Sequence, residues 1–201
     1  MCFLMCMHKP MLPHGDYDHI GDAINLLNEI KVDEVLFNND SFNDTETEII
    51  KILDKKNIKY SKNSWDLKKI EDLYFLNTKM YDNENDNSNV IYTELDGYKF
   101  MFMADAGIDK EKDILDKYNI SGIDILKIGH HGSKTSSSKY FINEIKPKYS
   151  IISVGENNRY GHPNNEVLKN LANSKIYRTD LDGSIVFRIK NDKLKIETCA
   201  P

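Results

Sequence analysis

The sequence predicts a mixed α/β domain of the α+β kind whose chemistry gathers at sheet edges, and three observations carry that expectation. Runs with strand character alternate with runs of helical periodicity along the chain. Two apolar runs, Tyr98–Met103 and Ile123–Gly129, lead directly into polar residues, Asp105 and the pair His130-His131, as buried strands do when they deliver side chains to one sheet edge. The 201 residues, 40% of them apolar, suffice for one sizeable core, and no Pro/Gly/Ser-rich linker or internal repeat divides it. Residues 1–201 therefore read as a single domain.

Met1–Leu12 is apolar and atypical: it has neither the basic start nor the small-residue cleavage site of a secretory leader. No later run approaches the roughly 18–20 apolar residues of a membrane helix, so no membrane segment is expected. The three cysteines, Cys2, Cys6 and Cys199, are odd in number and near the termini, which points to a reducing, cytoplasmic setting. Cys2, Cys6 and His8 lack the fourth ligand of a structural zinc site.

The hexad His14-Gly15-Asp16-Tyr17-Asp18-His19 follows. In an extended chain His14 and Asp16 point the same way, while Asp18 and His19 diverge toward a second position as the chain turns. A polar turn with Asp18 as an ordinary helix cap would use one such residue, not four. Helices are then expected at Ile20–Ile30, Thr45–Asn57, Lys110–Tyr118, Ser137–Ile145 and Asn164–Ala172. Strands are expected at Val32–Phe37, Leu73–Asn77, Asn89–Leu95, Tyr98–Met103, Ile123–Ile128, Tyr149–Val154, Ile176–Thr179, Ser184–Ile189 and Lys193–Glu197. Asp82–Asn89 reads as a polar loop.

Asp105, at a strand end, is suited to bridge two cations; alone it would pass for a turn residue. His130 and His131 offer one further ligand, and the sequence leaves open which of them. The hydroxyls of Ser133, Thr135 and Ser136 precede a helix, where free N–H groups and hydroxyls make an anion cradle; the bland alternative is a single Ser cap. Asn158, Tyr160 and His162 sit in a Gly/Pro-bounded loop, where His162 either binds a phosphoryl oxygen or protonates a leaving oxygen, or, as a structural residue, merely anchors the turn. The net charge of −5 argues against a broad nucleic-acid surface. Residues 127–162, however, hold six basic and two acidic side chains, against five basic and thirteen acidic in residues 71–124, so a polyanion would approach over the His130–His162 side.

These motifs resemble the metallo-β-lactamase fold hydrolases, whose hallmark is a His-x-His-x-Asp-His loop followed by a bridging Asp and a late His. The runs Asn85-Asp86-Asn87-Ser88, Ala104-Asp105-Ala106, Leu126 to Ser138 with Gly129-His130-His131-Gly132 at its centre, and Asn157 to Pro163 narrow the likeness. They resemble the soluble domain of ComEC-type DNA internalisation (competence) proteins, over about residues 13–190. The resemblance implies a four-layer αββα sandwich, short of its first strands because only thirteen residues precede His14. It implies two divalent metal ions, Zn²⁺ or Mn²⁺, held by His14, Asp16, Asp18, His19, Asp105 and His131, with His130 as a further candidate.

It also implies phosphodiester hydrolysis with Asp18 and His162 as catalytic residues, DNA, single-stranded for preference, as substrate, and a membrane channel as partner. Two departures stand out. Asp16 replaces the second His of the superfamily hexad, as in the ComEC-type subgroup, and no His lies between positions 20 and 129. One metal position is therefore oxygen-rich, which suits Mn²⁺, and Asp86 or Asn87 arrives where the intermediate His would stand. A small-molecule phosphodiesterase or lactone hydrolase, and a non-catalytic remnant, are the alternatives.

Overall fold

The structure, a computed structural model, describes residues 4–6, 9–63 and 69–200. Cys2 and His8 lie outside the described residues, as does the side chain of Cys6. The chain runs β1 (Leu4–Cys6), β2 (Lys9–Met11), α1 (Tyr17–Ile20), α2 (Ala23–Glu29), β3 (Glu34–Phe37), α3 (Asp44–Lys56) and β4 (Lys59–Lys62). It continues through β5 (Lys69–Ile70), β6 (Leu73–Phe75), β7 (Ile91–Leu95), β8 (Tyr98–Phe102), α4 (Ile108–Lys117), β9 (Ile125–Lys127) and α5 (Lys139–Ile145). Last come β10 (Tyr149–Ile152), α6 (Asn165–Asn170), β11 (Lys175–Arg178), α7 (Thr179–Asp182), β12 (Ser184–Lys190) and β13 (Lys193–Cys199). Among the described residues no helix is long and apolar enough to cross a membrane.

A four-stranded sheet, β1-β2-β3-β4, faces a seven-stranded sheet ordered β11-β10-β9-β8-β7-β6-β5, and β12–β13 form a separate hairpin. Side-chain alternation builds the layers. On β3, Val35 and Phe37 turn to one face and pack with Ile20, Leu27, Ile49 and Leu53 of the helices α1 to α3. Leu36, between them, joins Met11, Leu73, Phe75 and Ile91 in the layer between the sheets. On the far side Met101, Leu126 and Ile152 meet Ile114, Phe141, Ile145 and Val167 of α4, α5 and α6, with Leu171 at the end of α6. Helices, sheet, sheet, helices is the four-layer αββα order, and each fully buried Leu, Ile or Phe in it contributes roughly 1.5–3 kcal/mol.

The observed elements follow the expected order, with shifts that have physical causes. The helix expected over Ile20–Ile30 is two: Gly21 closes α1 by donating to Tyr17 O at 2.7 Å, and α2 restarts at Ala23. Residues before His14 supply the β1–β2 hairpin, which reaches β3 through one residue pair, Met11 with Leu36. The short β4 was not expected, because its residues are exposed or only partly buried and carry no apolar alternation.

Buried asparagines join the two sheets beside the hexad. Asn63 Nδ2 donates to Asn77 Oδ1 at 3.0 Å and to Asn89 Oδ1 at 2.6 Å, while Asn89 Nδ2 donates to Leu12 O at 3.1 Å. On the other flank α3 opens with a capping box: Asn43 Oδ1 accepts from Glu46 N and Glu46 Oε2 accepts from Asn43 N. The same Asn43 donates through Nδ2 to Gly15 O at 2.9 Å. Asn43→Ala loses a cap and a tether of the hexad together, and is expected to lower stability by about 1–2 kcal/mol in urea melts. An unchanged midpoint would show that α3 does not hold this loop.

Candidate metal centre

The hexad shapes one wall of the site. Asp16 is extended, with φ −69° and ψ 142°, and the chain then turns into α1, so Asp18 and His19 sit in its first turn while His14 stays on the incoming segment. Gly15 is required by close approach: a Cβ there would lie 2.1 Å from Asn43 Nδ2. Neither Asp16 nor Asp18 caps the helix, since α1 has no side-chain cap hydrogen bond. The opposite wall comes from the ends of β8 and β9. Asp105 follows β8, and His130 and His131 lie in a tight turn after β9 with φ of 46° and 53°. Holding two non-glycine residues in the left-handed region costs about 1–3 kcal/mol each, a cost that clusters at functional sites.

The Asp105 carboxylate stands at the centre and its two oxygens face different sets of side chains. Oδ1 lies 2.9 Å from His19 Nε2 and 3.8 Å from His131 Nε2. Oδ2 lies 3.7 Å from both His14 Nε2 and His130 Nε2. Asp18 Oδ2 completes the first set, 3.0 Å from His131 Nε2 and 3.8 Å from His19 Nε2. His131 Nδ1 is 2.6 Å from Ser153 O, which fixes the proton on that nitrogen and leaves Nε2 to the site. Thr135 Oγ1 lies 3.3 Å from His130 Nδ1.

Electrostatics agree with this grouping. Contact with His131 holds the Asp18 carboxyl down to about 2, against the opposing push of burial, and Asp18 in turn raises His131. Burial pushes Asp105 upward, but His14 and His19 more than offset it and hold the group ionised well below the ordinary carboxylate range. Burial lowers His19. For His14 burial also lowers, yet Asp105 and Asp16 outweigh it and the net direction is upward.

Buried polar groups ordinarily find partners. Here His14 Nε2, both ring nitrogens of His19 and Asp105 Oδ1 are buried without a hydrogen-bond partner. Asp18, His19, Asp105 and His131 each offer a ligand atom within 4.8 Å of the others. That donor set, two imidazoles and two carboxylates converging on one point, can hold a divalent cation.

Above it opens a cleft of about 780 Å³, lined among others by Asp16, Tyr17, Asp18, Asp105, His130, His131, Asn158, Arg159, Tyr160 and His162. His162 lies with its ring centroid 6.1 Å from that of His130 and stacks on Tyr160 at 5.8 Å. Burial, then the neighbouring His130 and His131, lowers its pKa. Asn158 receives the His162 N–H at 2.9 Å and donates to His162 O at 2.7 Å, so its amide shapes the loop that carries His162. Arg159 lies over the Tyr160 ring, 4.9 Å from its centroid.

Two expectations need correction. The hydroxyl residues Ser133, Thr135 and Ser136 do not form an open anion cradle. Ser136 Oγ donates to Gly129 O at 2.7 Å, Ser133 Oγ pairs with Thr135 Oγ1 at 3.0 Å, and the Ser137 and Ser138 N–H groups go to the Glu111 carboxylate. Asp86 and Asn87 do not face the centre: Asp86 Oδ1 accepts from Gly107 N, and Asn87 bonds Tyr81 and Asp40. Sequence reasoning also missed two residues that shape the site, Glu84 and Lys110. Glu84 Oε1 accepts from Gly15 N at 3.1 Å, and buried Lys110 donates to Asp86 O and Ser88 O at 2.9 and 2.7 Å. The only signal for Lys110 was its place on the apolar side of an otherwise charged helix.

Comparison with known proteins places this geometry. The family model described as the metallo-beta-lactamase superfamily matches residues 12–156. ComE operon protein 3 of Bacillus subtilis is 33% identical over 189 residues, covering 90% of this chain and 24% of that protein. Competence protein ComA of Neisseria gonorrhoeae is 33% identical over 133 residues, covering 63% of this chain and 19% of that protein. The chain thus spans about a quarter or less of the length of these relatives. A solved structure of a Zn-dependent hydrolase from Thermotoga maritima, described as putative and assigned to the metallo-beta-lactamase superfamily, aligns with a TM-score of 0.43 at 13% identity, covering 87% of this chain and 82% of that one.

Proposed function

The chain belongs to the metallo-beta-lactamase superfamily of hydrolases, and we propose that it is a dinuclear phosphodiesterase that cleaves DNA, single-stranded for preference. The observation that carries the reading is the division of the Asp105 carboxylate. Its Oδ1 faces His19 and His131, which Asp18 also contacts, while Oδ2 faces His14 and His130, which is what a bridge between two cations needs. Asp16 lines the cleft beside them. Bound divalent ions would supply a water acidic enough to ionise near neutral pH and neutralise charge on the phosphate.

The chain's own residues do the rest. Asp18, kept ionised by His131, holds the attacking water in line and accepts its proton. His162, above the centre, donates a hydrogen bond to a phosphoryl oxygen or a proton to the leaving oxygen. Arg159 and the exposed Tyr160 offer a cation and a stacking face to the flanking nucleotide. The open cleft suits a polymer threading past, and the similarity to competence proteins supports DNA. Residues 1–201 act as a single cytoplasmic domain in this reading, and the ComEC-type resemblance supports a membrane channel as partner.

Metal-stripped protein reloaded in turn with Mn²⁺, Zn²⁺ and Mg²⁺ should cleave a single-stranded oligonucleotide fastest with Mn²⁺. Three of the candidate ligands, Asp16, Asp18 and Asp105, are carboxylates, whose hard oxygens favour Mn²⁺ over Zn²⁺. Turnover of a simple aryl phosphodiester or a lactone without oligonucleotide cleavage would replace the nuclease reading with a small-molecule hydrolase. A protein that folds but neither retains metal nor turns over any of these substrates would be a non-catalytic remnant.

A further inference from the structure

The hairpin β12–β13 has two unlike faces, because side chains alternate along each strand and cross-strand partners share a side. The register pairs Phe187 with Ile196 and Ile189 with Leu194 on one face, and Arg188 with Lys195 and Lys190 with Lys193 on the other. The first face is apolar and turned to the domain. Its Phe187 ring stands edge-on to Tyr149 and Tyr177, at 6.2 Å between centroids in each case, and the Tyr98 hydroxyl accepts from Leu194 N and donates to Asp192 O. The second face is basic and exposed. Residues 184–199 carry four basic side chains against two acidic ones, in a chain whose net charge is −5.

Two like-charged pairs thus stand directly opposite each other, an arrangement that destabilises a hairpin. Glu197 offsets one of them, holding Arg188 Nε at 3.0 Å and Lys195 Nζ at 2.7 Å. Among the described residues Lys190 and Lys193 have no ion-pair partner. The ribbon is also continuous with the cleft. Thr179, the first residue of α7, lines the cleft, and α7 passes through Gly183 directly into β12. The acids on that path are already engaged, since Asp180 takes the Arg178 guanidinium at 3.0 Å and Asp182 takes the Arg178 N–H at 2.7 Å. From there the seven residues of β12 extend over roughly 20 Å.

We propose that the exposed face of β12–β13 is a second docking surface for single-stranded DNA, on which Arg188, Lys190, Lys193 and Lys195 hold backbone phosphates of a molecule whose scissile part lies in the cleft. The inference rests on the DNA reading of the cleft and extends it to a surface outside the metal centre. Phosphates seated between the opposed cations relieve the repulsion that the free ribbon carries. The face has no aromatic side chain, so it contacts phosphates and not bases, and its binding is independent of sequence.

The test compares the full chain with three triple variants: Lys190→Gln/Lys193→Gln/Lys195→Gln, the same three positions changed to Arg, and a control, Lys51→Gln/Lys55→Gln/Lys59→Gln. The control removes as much charge from exposed positions of α3 and β4. Binding of a labelled oligonucleotide of about 16 nucleotides is followed by fluorescence anisotropy in metal-free buffer, so that nothing is cut. The ribbon Gln variant should bind about tenfold or more weakly at low salt. Its slope of log affinity against log salt should be shallower by about 2, since each single-strand phosphate contact contributes about 0.7. The Arg variant and the control should match wild type, and the urea midpoint of the ribbon Gln variant should be equal or higher.

An unchanged affinity and slope in the ribbon Gln variant, an equal loss in the control, or a wild type that binds no oligonucleotide would overturn the proposal. Unchanged binding accompanied by self-association would also overturn it, by making the lysines guards of an exposed ribbon edge. Binding to vesicles of anionic phospholipid that the Gln variant loses, without binding to DNA, would assign the face to a membrane instead. A wild type that binds DNA through the ribbon but cuts no substrate would end the hydrolase reading and leave the docking surface standing. Should the triple variant not fold, Lys190→Gln/Lys193→Gln is read by the same slope, with an expected change of about 1.4.

Discussion

If the centre is dinuclear as proposed, Asp105→Ala is expected to lose at least one divalent cation and to abolish hydrolysis. The carboxylate is buried among His14, His19, His130 and His131, and its two oxygens belong to different sets of side chains. No neighbour can replace it. Asp18 Oδ2 reaches only His19 and His131, and Asp16 lies on the Nδ1 side of His14. Removing the shared group leaves two half-built sites, each of which must hold a cation with fewer charges beside it. Metal content by mass spectrometry of the purified variant, alongside circular dichroism to show that it folds, checks the expectation. Equal metal content in wild type and variant would remove Asp105 from its central place.

His162→Ala should behave in the opposite way, keeping its metal and losing turnover by about 10²–10⁴-fold, the range for a positioned acid or charge stabiliser. Its ring lines the cleft with its centroid 6.1 Å from that of His130, and its loop is shaped by Asn158. Asp18→Ala and His19→Ala, by contrast, should lose metal and activity together. If His162→Ala stripped the metal, His162 would be a ligand; if it changed neither quantity, the loop from Asn157 to Pro163 would be structural only. Rising salt should weaken oligonucleotide binding through the exposed Lys134 and Lys139 while leaving a small phosphodiester unaffected.

The parts of the site legible in the sequence are those whose chemistry is local. Four ionisable residues in six positions, an Asp at the end of β8 and paired histidines after β9 announce themselves because their backbone neighbours fix where they point. The alternation of elements was equally readable, since β8, β9 and β10 are apolar and bounded by turns. What could not be read depends on distant partners. Glu84 sits in a run of Asn and Asp that looks like any solvated loop, and it acquires a role only when that loop folds against Gly15.

The hydroxyls from Ser133 to Ser138 looked like an anion cradle because nothing in the sequence reveals that Glu111, on α4, reaches the N–H groups of Ser137 and Ser138. The left-handed backbone of His130 and His131 was likewise invisible, because residue type does not demand it. β4 escaped for a different reason. It is an edge strand of largely exposed residues and has no apolar rhythm to detect.

The central claim is that one carboxylate joins two cations. Electron paramagnetic resonance of the protein loaded with two equivalents of Mn²⁺ tests it most directly, because ions about 3.5–4 Å apart, the separation typical of two-metal hydrolases, are magnetically coupled. The account predicts a coupled dinuclear spectrum in the wild type that collapses to the six-line pattern of isolated Mn²⁺ in Asp105→Ala. A six-line spectrum of isolated ions in the wild type at full loading would contradict it.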